Sequence, residues 1–295
     1  MSTAKASVES DYLLHPELFE AVPILSKKIG QELNARVSET LLDDPSLDTD
    51  ISIVVRTFNE RKSLEQLFED LHRQQFAREV EVVVLDSEST DNTVEVAHDY
   101  GAEVVRMKQV DFTYPRSLNM GIEASSHDVV FLTVGHAGLT NTHNLHAGVR
   151  HFNDNNVAGA FGTTLAGANA SRTEKTAYAI ANLYLVSKPT HKIRKAGMGV
   201  LGATNAVIAK SAWEELGKFD ERYEAGGEDT ALAAQMLDAG FEILREPALS
   251  VHHTHGLGPV NSIRQYLSWR QILEGPKKFD RNTLLARRPD LRTKK

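Results

Sequence analysis

A strand, helix and strand pattern between Ile51 and Thr93 constrains the fold of this chain more than any other feature. The β-branched run 51–55 meets a polar segment, as a buried strand does where it enters a loop. A helix is predicted next, with a capping box at Ser63, by apolar residues at helical spacing: Leu64, Leu67, Phe68 and Leu71. The apolar run 80–85 predicts a second strand. Two strands joined through a helix form a right-handed parallel unit, so we predict an α/β fold.

Polar residues follow both predicted strands. Thr57, Asn59 and Glu60 come after the first strand, and Asp86 and Ser87 stand where the second one ends. In open parallel sheets, ligands bind outside the carboxyl ends of the strands, where the loops converge. Such residues also finish turns without binding anything. Their occurrence at two adjacent strand ends favours a ligand site.

Both polar clusters resemble motifs of the family 2 glycosyltransferases. Thr57-Phe58-Asn59-Glu60 is similar to the family's Thr-x-Asn-x loop, and Asp86 to Asp91 is similar to its Asp-x-x-Ser-x-Asp. The resemblance implies the GT-A fold, a Rossmann-like, mostly parallel central sheet flanked by helices. It also implies that Asp86 bonds the base of a nucleotide, which is uracil or thymine. Thr57, Asn59, Glu60 and Ser87 would then line the nucleotide pocket.

A further segment, Phe112 to Ala124, is similar to the family's Arg-x-x-Asn-x-Gly-x-x-x-Ala. In the family, the basic residue and the Asn lie close to the nucleotide sugar, so the resemblance implies this place for Arg116 and Asn119. The chemistry agrees, because a guanidinium offers fixed, forked donors to a diphosphate. The alternative is an arginine on the surface at the start of a helix.

The strand predicted at 128–134 ends without the acidic motif of the family. Members carry Asp-x-Asp there, whose carboxylates hold a divalent metal, whereas this chain has Gly135-His136-Ala137-Gly138. His136 takes the place of the metal-binding aspartate, and His253 and His255 point the same way on a later extended segment. These three histidines are the candidate metal ligands, and the alternative is a structural cluster. We expect a divalent cofactor, Mn or Mg or another ion, although imidazole suits Mg poorly.

Two adjacent acids, Glu228 and Asp229, follow a glycine pair and begin a predicted helix. Acids at such a position are stabilised by the helix dipole, and capping alone would account for one of them. In the family the Asp of a Glu-Asp pair is the general base that deprotonates the acceptor hydroxyl. The resemblance therefore assigns catalysis to Asp229, with Glu228 in reserve.

Composition and charge bound the class of protein. The net charge of −7 is spread along the chain and does not suggest a nucleic-acid binder, and the chain has no cysteine for disulfide or thiol chemistry. The start lacks an apolar signal core, and no window reaches the roughly 20 apolar residues of a membrane span. We expect a cytoplasmic protein.

Three regions are predicted along the chain. Residues 1–50 form a helical extension that packs on the domain or serves a homodimer contact. Residues 51–256 form the GT-A domain, divided into a nucleotide-binding half, 51–140, and an acceptor half, 141–256. Residues 257–295 form a helix and a basic tail. That tail is either solvated or touches a membrane surface.

The motifs together predict an inverting glycosyltransferase. It would move a sugar from a UDP- or dTDP-sugar to a hydroxyl of a carbohydrate, lipid-linked or small-molecule acceptor. The missing Asp-x-Asp motivates one alternative, a nucleotide-binding scaffold without catalysis. A second alternative is a metallohydrolase that relies on the histidines, but the sequence has no close His-Glu ligand pair.

Overall fold

The computed structural model describes residues 49–76, 78–167, 169–186, 189–272 and 275–276 of the chain. The strands are β1 Ile51–Thr57, β2 Val80–Asp86, β3 Glu103–Arg106, β4 Val129–Val134, β5 Gly138–Leu139, β6 Val157–Leu165, β7 His191–Lys192, β8 Ala206–Ala209 and β9 Glu242–His252. The helices are α1 Arg61–His72, α2 Thr93–Asp99, α3 Tyr114–Ala124, α4 Asn144–Val149, α5 Arg172–Val186, α6 Lys210–Glu215, α7 Glu228–Asp238 and α8 Pro259–Ile272, with a 3-10 turn at Gln109–Asp111. The predicted extension before residue 49 and the basic tail after residue 276 lie outside the described residues.

The nine strands of the described residues form one sheet in the order β3-β2-β1-β4-β8-β6-β9-β5, and β7 pairs with β9. β1 runs parallel to β2 and β4, β2 to β3, and β6 to β9, while β8 is antiparallel to both β4 and β6. Six strands, β1 to β4 with β6 and β9, therefore point in the same direction. The predicted α/β fold with a mostly parallel sheet is confirmed. All six carboxyl ends meet at one edge of the sheet, which we call the carboxyl rim.

β1 lies in the middle of the core and is covered on both faces. Ile53 and Val55 pack toward α1, while Val54 packs toward α3, and none of these three side chains is exposed. A continuous β-branched run suits a strand that helices cover on both sides. Burying each such side chain stabilises the fold by about 1.5–3 kcal/mol.

The strand register fixes which residues are neighbours at the carboxyl rim. Thr57 pairs with Asp86 at the ends of β1 and β2, and Arg56 pairs with Val134 at the end of β4. Farther along the sheet, Gly138 pairs with His252. The polar residues that end these strands are thus brought to one side of the molecule by hydrogen bonds of the sheet.

Three helix ends have residues that commonly stop or cap a helix, and one end differs from the prediction. Gly101 and Gly240 follow α2 and α7 with φ of 78° and 90°, the left-handed stop that glycine allows. A capping box precedes α5, because Ser171 N donates to a Glu174 carboxylate oxygen at 2.9 Å and Glu174 N donates to Ser171 Oγ at 3.1 Å. The capping box predicted at Ser63 is wrong. α1 begins at Arg61, three residues before the start that a cap at Ser63 requires, and Ser63 Oγ instead donates to the Glu60 carbonyl at 3.1 Å.

No helix within the described part of the chain has the length and apolar character needed to cross a membrane.

Candidate functional site

The loops that follow β1 and β2 are bonded to each other at the carboxyl rim. Asn59 N donates to Ser89 Oγ at 2.8 Å, and Asn59 Oδ1 accepts from Thr90 N at 2.8 Å. Glu60 N donates to Thr93 Oγ1 at 3.0 Å. Asn59 holds a left-handed backbone with φ of 53°, which asparagine tolerates better than most residues. The side chain of Asn59, predicted to bind the nucleotide, clamps the two loops in this structure.

Asp86 and Thr57 present buried oxygens at the same place. Asp86 Oδ2 accepts from Ser89 N at 3.0 Å, while Asp86 Oδ1 is buried and has no hydrogen-bond partner among the described residues. Thr57 Oγ1 is also buried and has no hydrogen-bond partner among the described residues. Ser87 is buried beside them, and its N–H donates to the Thr57 carbonyl at 3.2 Å. Buried polar atoms almost always find a partner, so such oxygens at a strand end indicate a ligand.

Arg56 is a site residue that the sequence reasoning missed. Its guanidinium lies over the ring of Tyr114, with Cζ 5.2 Å from the ring centroid. Nε and Nη1 are buried and have no hydrogen-bond partner in the described part of the chain. A sequence signal did exist, because residues alternate along a strand and Arg56 must face the side opposite Thr57. A cation at the end of an apolar strand, directed into the fold, is unusual without an anionic partner.

Glu228 and Asp229 begin α7 beside Arg56. Gly226 and Gly227 precede them with φ of 116° and 98°, conformations that favour glycine and let the chain turn into the helix. Glu228 is only 4% exposed, and its Oε2 lacks a hydrogen-bond partner among the described residues. Asp229 is half-buried, and its Oδ1 accepts from Thr230 N at 2.6 Å.

Burial shifts the protonation of both acids in the same direction. Burial raises the pKa of Glu228 to about 8, with a further increase from the charge of Asp229 and a decrease from Arg56. Burial also raises the pKa of Asp229, against the bonds from Thr230 and the charge of Arg56. Arg56 therefore acts as the local cation that favours the ionised form of either acid. Two close acids with raised pKa values beside one arginine are typical of a functional site.

The three histidines singled out in the sequence meet in space. One ring nitrogen of each of His136, His253 and His255 lies within 4.8 Å of the other two. His136 Nε2 is 2.9 Å from His253 Nε2, and the ring centroid of His255 lies 5.2 Å from that of His136 and 4.7 Å from that of His253. The pairing of β5 with β9 brings the segments together. Such a set of imidazoles has the composition of a transition-metal site.

Hydrogen bonds from their own backbone N–H groups hold His253 and His255 in place. His253 N donates to the Leu165 carbonyl at 3.0 Å, at the end of β6. His255 N donates to Glu174 Oε1 at 3.1 Å, the same carboxylate that completes the capping box of α5. The positions of these histidines are therefore set by β6 and by the start of α5.

Glu60 lies against the third histidine. Its Oε1 is 2.6 Å from His136 Nδ1, and the carboxylate is almost completely buried, with 6% of the side chain exposed. His136 thus has one ring nitrogen beside a carboxylate and the other beside His253. Glu60, predicted to line the nucleotide pocket, contacts the histidine cluster in this structure.

Arg116 and Asn119 are engaged elsewhere along α3. Arg116 Nε and Nη2 lie 3.0 and 2.9 Å from Glu221 Oε2, and 44% of each of the two side chains is exposed. Asn119 Nδ2 donates to the Phe219 carbonyl at 2.9 Å, and Asn119 Oδ1 accepts from Phe219 N at 3.0 Å. Both contacts join α3 to the segment that leads into Glu228, so these residues help to set the position of the acid pair.

A concavity of about 580 Å³ lies at the edge of the sheet opposite the carboxyl rim. It is lined by residues that include Ser126, His127 and Phe152. Ser126 N donates to a Glu81 oxygen at 2.7 Å, and His127 Nδ1 lies 3.1 Å from Ser52 Oγ. None of the buried polar side-chain atoms of the described residues that line it lacks a hydrogen-bond partner, in contrast to the buried atoms at the carboxyl rim.

Two curated relatives resemble most of this chain. The O-antigen chain rhamnosyltransferase WbaN of Salmonella anatum is 26% identical over 223 residues, which cover 73% of this chain and 69% of the relative. The O-antigen chain rhamnosyltransferase RfbN of Salmonella typhimurium is 26% identical over 224 residues, covering 73% and 70%.

Solved structures share the fold. The mannosyltransferase PcManGT from Pyrobaculum calidifontis, in complex with GDP-Man and Mn2+, matches with a TM-score of 0.57 and 17% identity over 93% of this chain and 79% of its own. S. aureus TarS 1-349 in complex with UDP matches with a TM-score of 0.55 and 14% identity over 76% and 64%. The sequence model of glycosyl transferase family 2 matches residues 52–217, more than half of the chain. The chain therefore belongs to glycosyl transferase family 2, and it is a glycosyltransferase.

Proposed function

We propose that the protein is an inverting glycosyltransferase that uses a UDP- or dTDP-sugar. The observation that carries this proposal is a set of buried polar atoms at the carboxyl rim. Each lacks a hydrogen-bond partner among the described residues, and together they comprise a cation and several oxygens on Arg56, Thr57, Asp86 and Glu228. A ligand that offers both a donor group and an anionic group would satisfy them, and a nucleoside diphosphate offers both.

Asp86 is the residue that reads the base. An ionised carboxylate only accepts hydrogen bonds, so its buried Oδ1 requires a donor on the ligand. The ring N–H of uracil or thymine is such a donor, and both bases occur in the proposed donors. Thr57 Oγ1 can accept or donate beside it. Ser87 and Asn59 support this pocket by holding the two loops together.

Arg56 is the cation best placed for the diphosphate. Its two unpartnered nitrogens are already buried, so a phosphate would meet them without a large cost of desolvating the arginine again. Arg116 would reach the donor only by exchanging Glu221 for a phosphate. Asn119 acts by position, since its amide is bonded to the backbone of Phe219.

Asp229 is the general base. It must take the proton of the acceptor hydroxyl while the oxygen attacks the anomeric carbon, and the nucleoside diphosphate leaves from the opposite face. A positioned base contributes about 10²–10⁴ in rate. Burial raises the pKa of Asp229, which brings a carboxylate closer to the basicity that proton transfer near neutral pH needs. Glu228 stays in reserve as the second acid of the pair.

His136, His253 and His255 are the residues that would hold a divalent metal, because their ring nitrogens lie close enough to share one ion. Such an ion would neutralise charge on the departing diphosphate. A metal held by the histidines would take the role of the metal that Asp-x-Asp holds in the family. The absence of that motif is what motivates the scaffold alternative. The acceptor is proposed to be a hydroxyl of a carbohydrate, a lipid-linked sugar or a small molecule.

A panel of UDP- and dTDP-sugars tests the proposal directly. Each donor is incubated with the full chain, with and without Mn²⁺, and its binding and the release of nucleoside diphosphate are measured, water serving as a slow acceptor. We expect at least one donor to bind and to be consumed. Binding of no donor, or binding without release of nucleotide from any donor, would contradict the proposed function.

A further inference from the structure

A carboxylate lies beside the histidine cluster, in addition to its three candidate ligands. His136 lies between Glu60 on its Nδ1 side, at 2.6 Å, and His253 on its Nε2 side, at 2.9 Å. A histidine that ligates a metal usually gives its second ring N–H to a carboxylate, which fixes the tautomer and makes the ligating nitrogen more basic. Glu60 has the proximity that this arrangement requires, but in this structure the pair is an ion-pair contact, and His136 Nδ1 makes no hydrogen bond among the described residues. Binding of a metal would have to turn the ring or the carboxylate slightly to complete the hydrogen bond.

The cluster is close to the dimensions of a metal centre. Tetrahedral sites place imidazole nitrogens about 2.0–2.1 Å from Zn²⁺ and therefore roughly 3.3 Å from one another. The 2.9 Å between His136 Nε2 and His253 Nε2 needs only a small opening to reach that spacing. His255, whose backbone is fixed by Glu174, is the third member within the 4.8 Å limit of the group.

The composition of the ligand set decides the class of ion. Three imidazoles form the group. Mg²⁺, in contrast, prefers oxygen ligands and gives up its bound water reluctantly. Imidazole suits Zn²⁺, Ni²⁺ and Fe²⁺, and the affinity of such sites rises from Mn²⁺ through Co²⁺ to Cu²⁺. The only carboxylate that touches His136 in the described residues is placed on its outer nitrogen, where it orients the ring.

We infer that His136, His253 and His255 form a nitrogen-ligated metal centre, positioned by Glu60, that selects Zn²⁺ or Co²⁺ over Mg²⁺. This inference rests on the proposed function in one respect, since it names the ion class of the proposed metal site. It assigns Glu60 a positioning role toward the metal in place of a contact with the base.

Cobalt spectroscopy tests the centre without any nucleotide or sugar. The untagged full chain is stripped of metal with a chelator and titrated with Co²⁺, and the visible absorption band of low-symmetry, nitrogen-ligated Co²⁺ is followed. We expect a saturable band at one Co²⁺ per chain that Zn²⁺ abolishes and that an equal concentration of Mg²⁺ leaves unchanged. The absence of a band, or its removal by Mg²⁺, would overturn the inference.

Two substitutions of Glu60 separate positioning from direct ligation. We expect Glu60→Ala to weaken Co²⁺ binding about 10- to 100-fold. Glu60→Gln should retain most of the affinity, because its amide oxygen can accept the same ring N–H. Equal losses of Co²⁺ affinity in the two variants would indicate that Glu60 ligates the metal directly. Wild-type affinity in Glu60→Ala would show that Glu60 does not position the metal centre.

The matched control is Glu95→Gln, an exposed acid on α2. It should bind Co²⁺ as the wild type does. The wild-type preference for Co²⁺ over Mg²⁺ needs no variant, so it decides the inference even if Glu60→Ala does not fold. A protein that binds Co²⁺ as expected yet consumes no nucleotide sugar would leave the metal centre standing and contradict the proposed function alone.

Discussion

The carboxylate of Glu60 occupies the space beside Gly135 that a side chain at position 135 would need. A Cβ placed on Gly135 would lie 2.7 Å from Glu60 Oε2 and 2.9 Å from Thr57 Oγ1. The end of β4 therefore has no room for a side chain there while Glu60 keeps its contact with His136. The carboxylate beside the end of β4 therefore comes from Glu60, immediately before α1.

Gly135→Ala should disturb the proposed metal centre through Glu60. The new methyl group must displace the nearest atoms, and the Glu60 carboxylate is the end of a flexible side chain, so it moves before the backbone does. We expect Co²⁺ affinity to fall about 10- to 100-fold. Overpacking should also reduce the free energy of unfolding by about 1–3 kcal/mol.

The control for this substitution is Gly197→Ala, where a Cβ would meet no described atom within 4 Å. Cobalt titration and urea unfolding of both variants provide the comparison. Wild-type Co²⁺ affinity in Gly135→Ala would show that Glu60 does not need its present position.

Local patterns predicted the strand ends well, because β-branched runs stop at polar residues and parallel strands share a rim. They also placed His136, His253 and His255 in one group, because a histidine at one strand end and two alternating ones at another are visible in the sequence. The contact of Glu60 with His136 could not be predicted in this way. It depends on where α1 starts, and the capping box wrongly predicted at Ser63 placed that start three residues late.

Long-range partners explain the other differences. Asn119 is bonded to Phe219, a residue 100 positions away, and Arg116 is paired with Glu221. Neither partner is visible from the motif that singled out these side chains. Arg56 was missed because it stands next to the Thr57 motif on the opposite face of the strand, where only the position of α7 reveals its acidic neighbours.

Arg56→Met should weaken binding of the diphosphate and spare binding of the nucleoside. A hydrogen bond to a charged group contributes about 1.5–3 kcal/mol, so UDP affinity should fall about 10- to 100-fold. Uridine affinity should remain unchanged, because Asp86, the residue proposed to read the base, is not altered. Calorimetric titration with both ligands makes the comparison, and Arg61→Met, at an exposed position at the start of α1, is the control. Equal losses for UDP and uridine would contradict this role of Arg56.

Glu228 should make the stability of the protein depend on pH. Its pKa in the folded state is about 8 and its ordinary value is 4.5, so the unfolded chain releases the proton first as the pH rises. The free energy of unfolding should therefore fall as the pH increases from about 4.5 to about 8, and the fall should end above that window.

Glu228→Gln should remove this part of the pH dependence. Urea unfolding of the wild type and the variant across the window measures the difference, with the exposed Glu214→Gln as control. We expect the wild type to lose stability relative to Glu228→Gln as the pH rises. Parallel curves for the two proteins would mean that Glu228 is not held protonated by the fold.

The rate of sugar transfer by Asp229→Asn, measured together with donor affinity, tests the central claim most directly. An asparagine keeps the shape of the side chain but cannot take the acceptor's proton. Asp238→Asn, at the exposed end of the same helix, is the matched control and should transfer like the wild type. We predict that Asp229→Asn binds the donor with wild-type affinity and transfers about 10²- to 10⁴-fold more slowly. Wild-type transfer by Asp229→Asn would contradict the account.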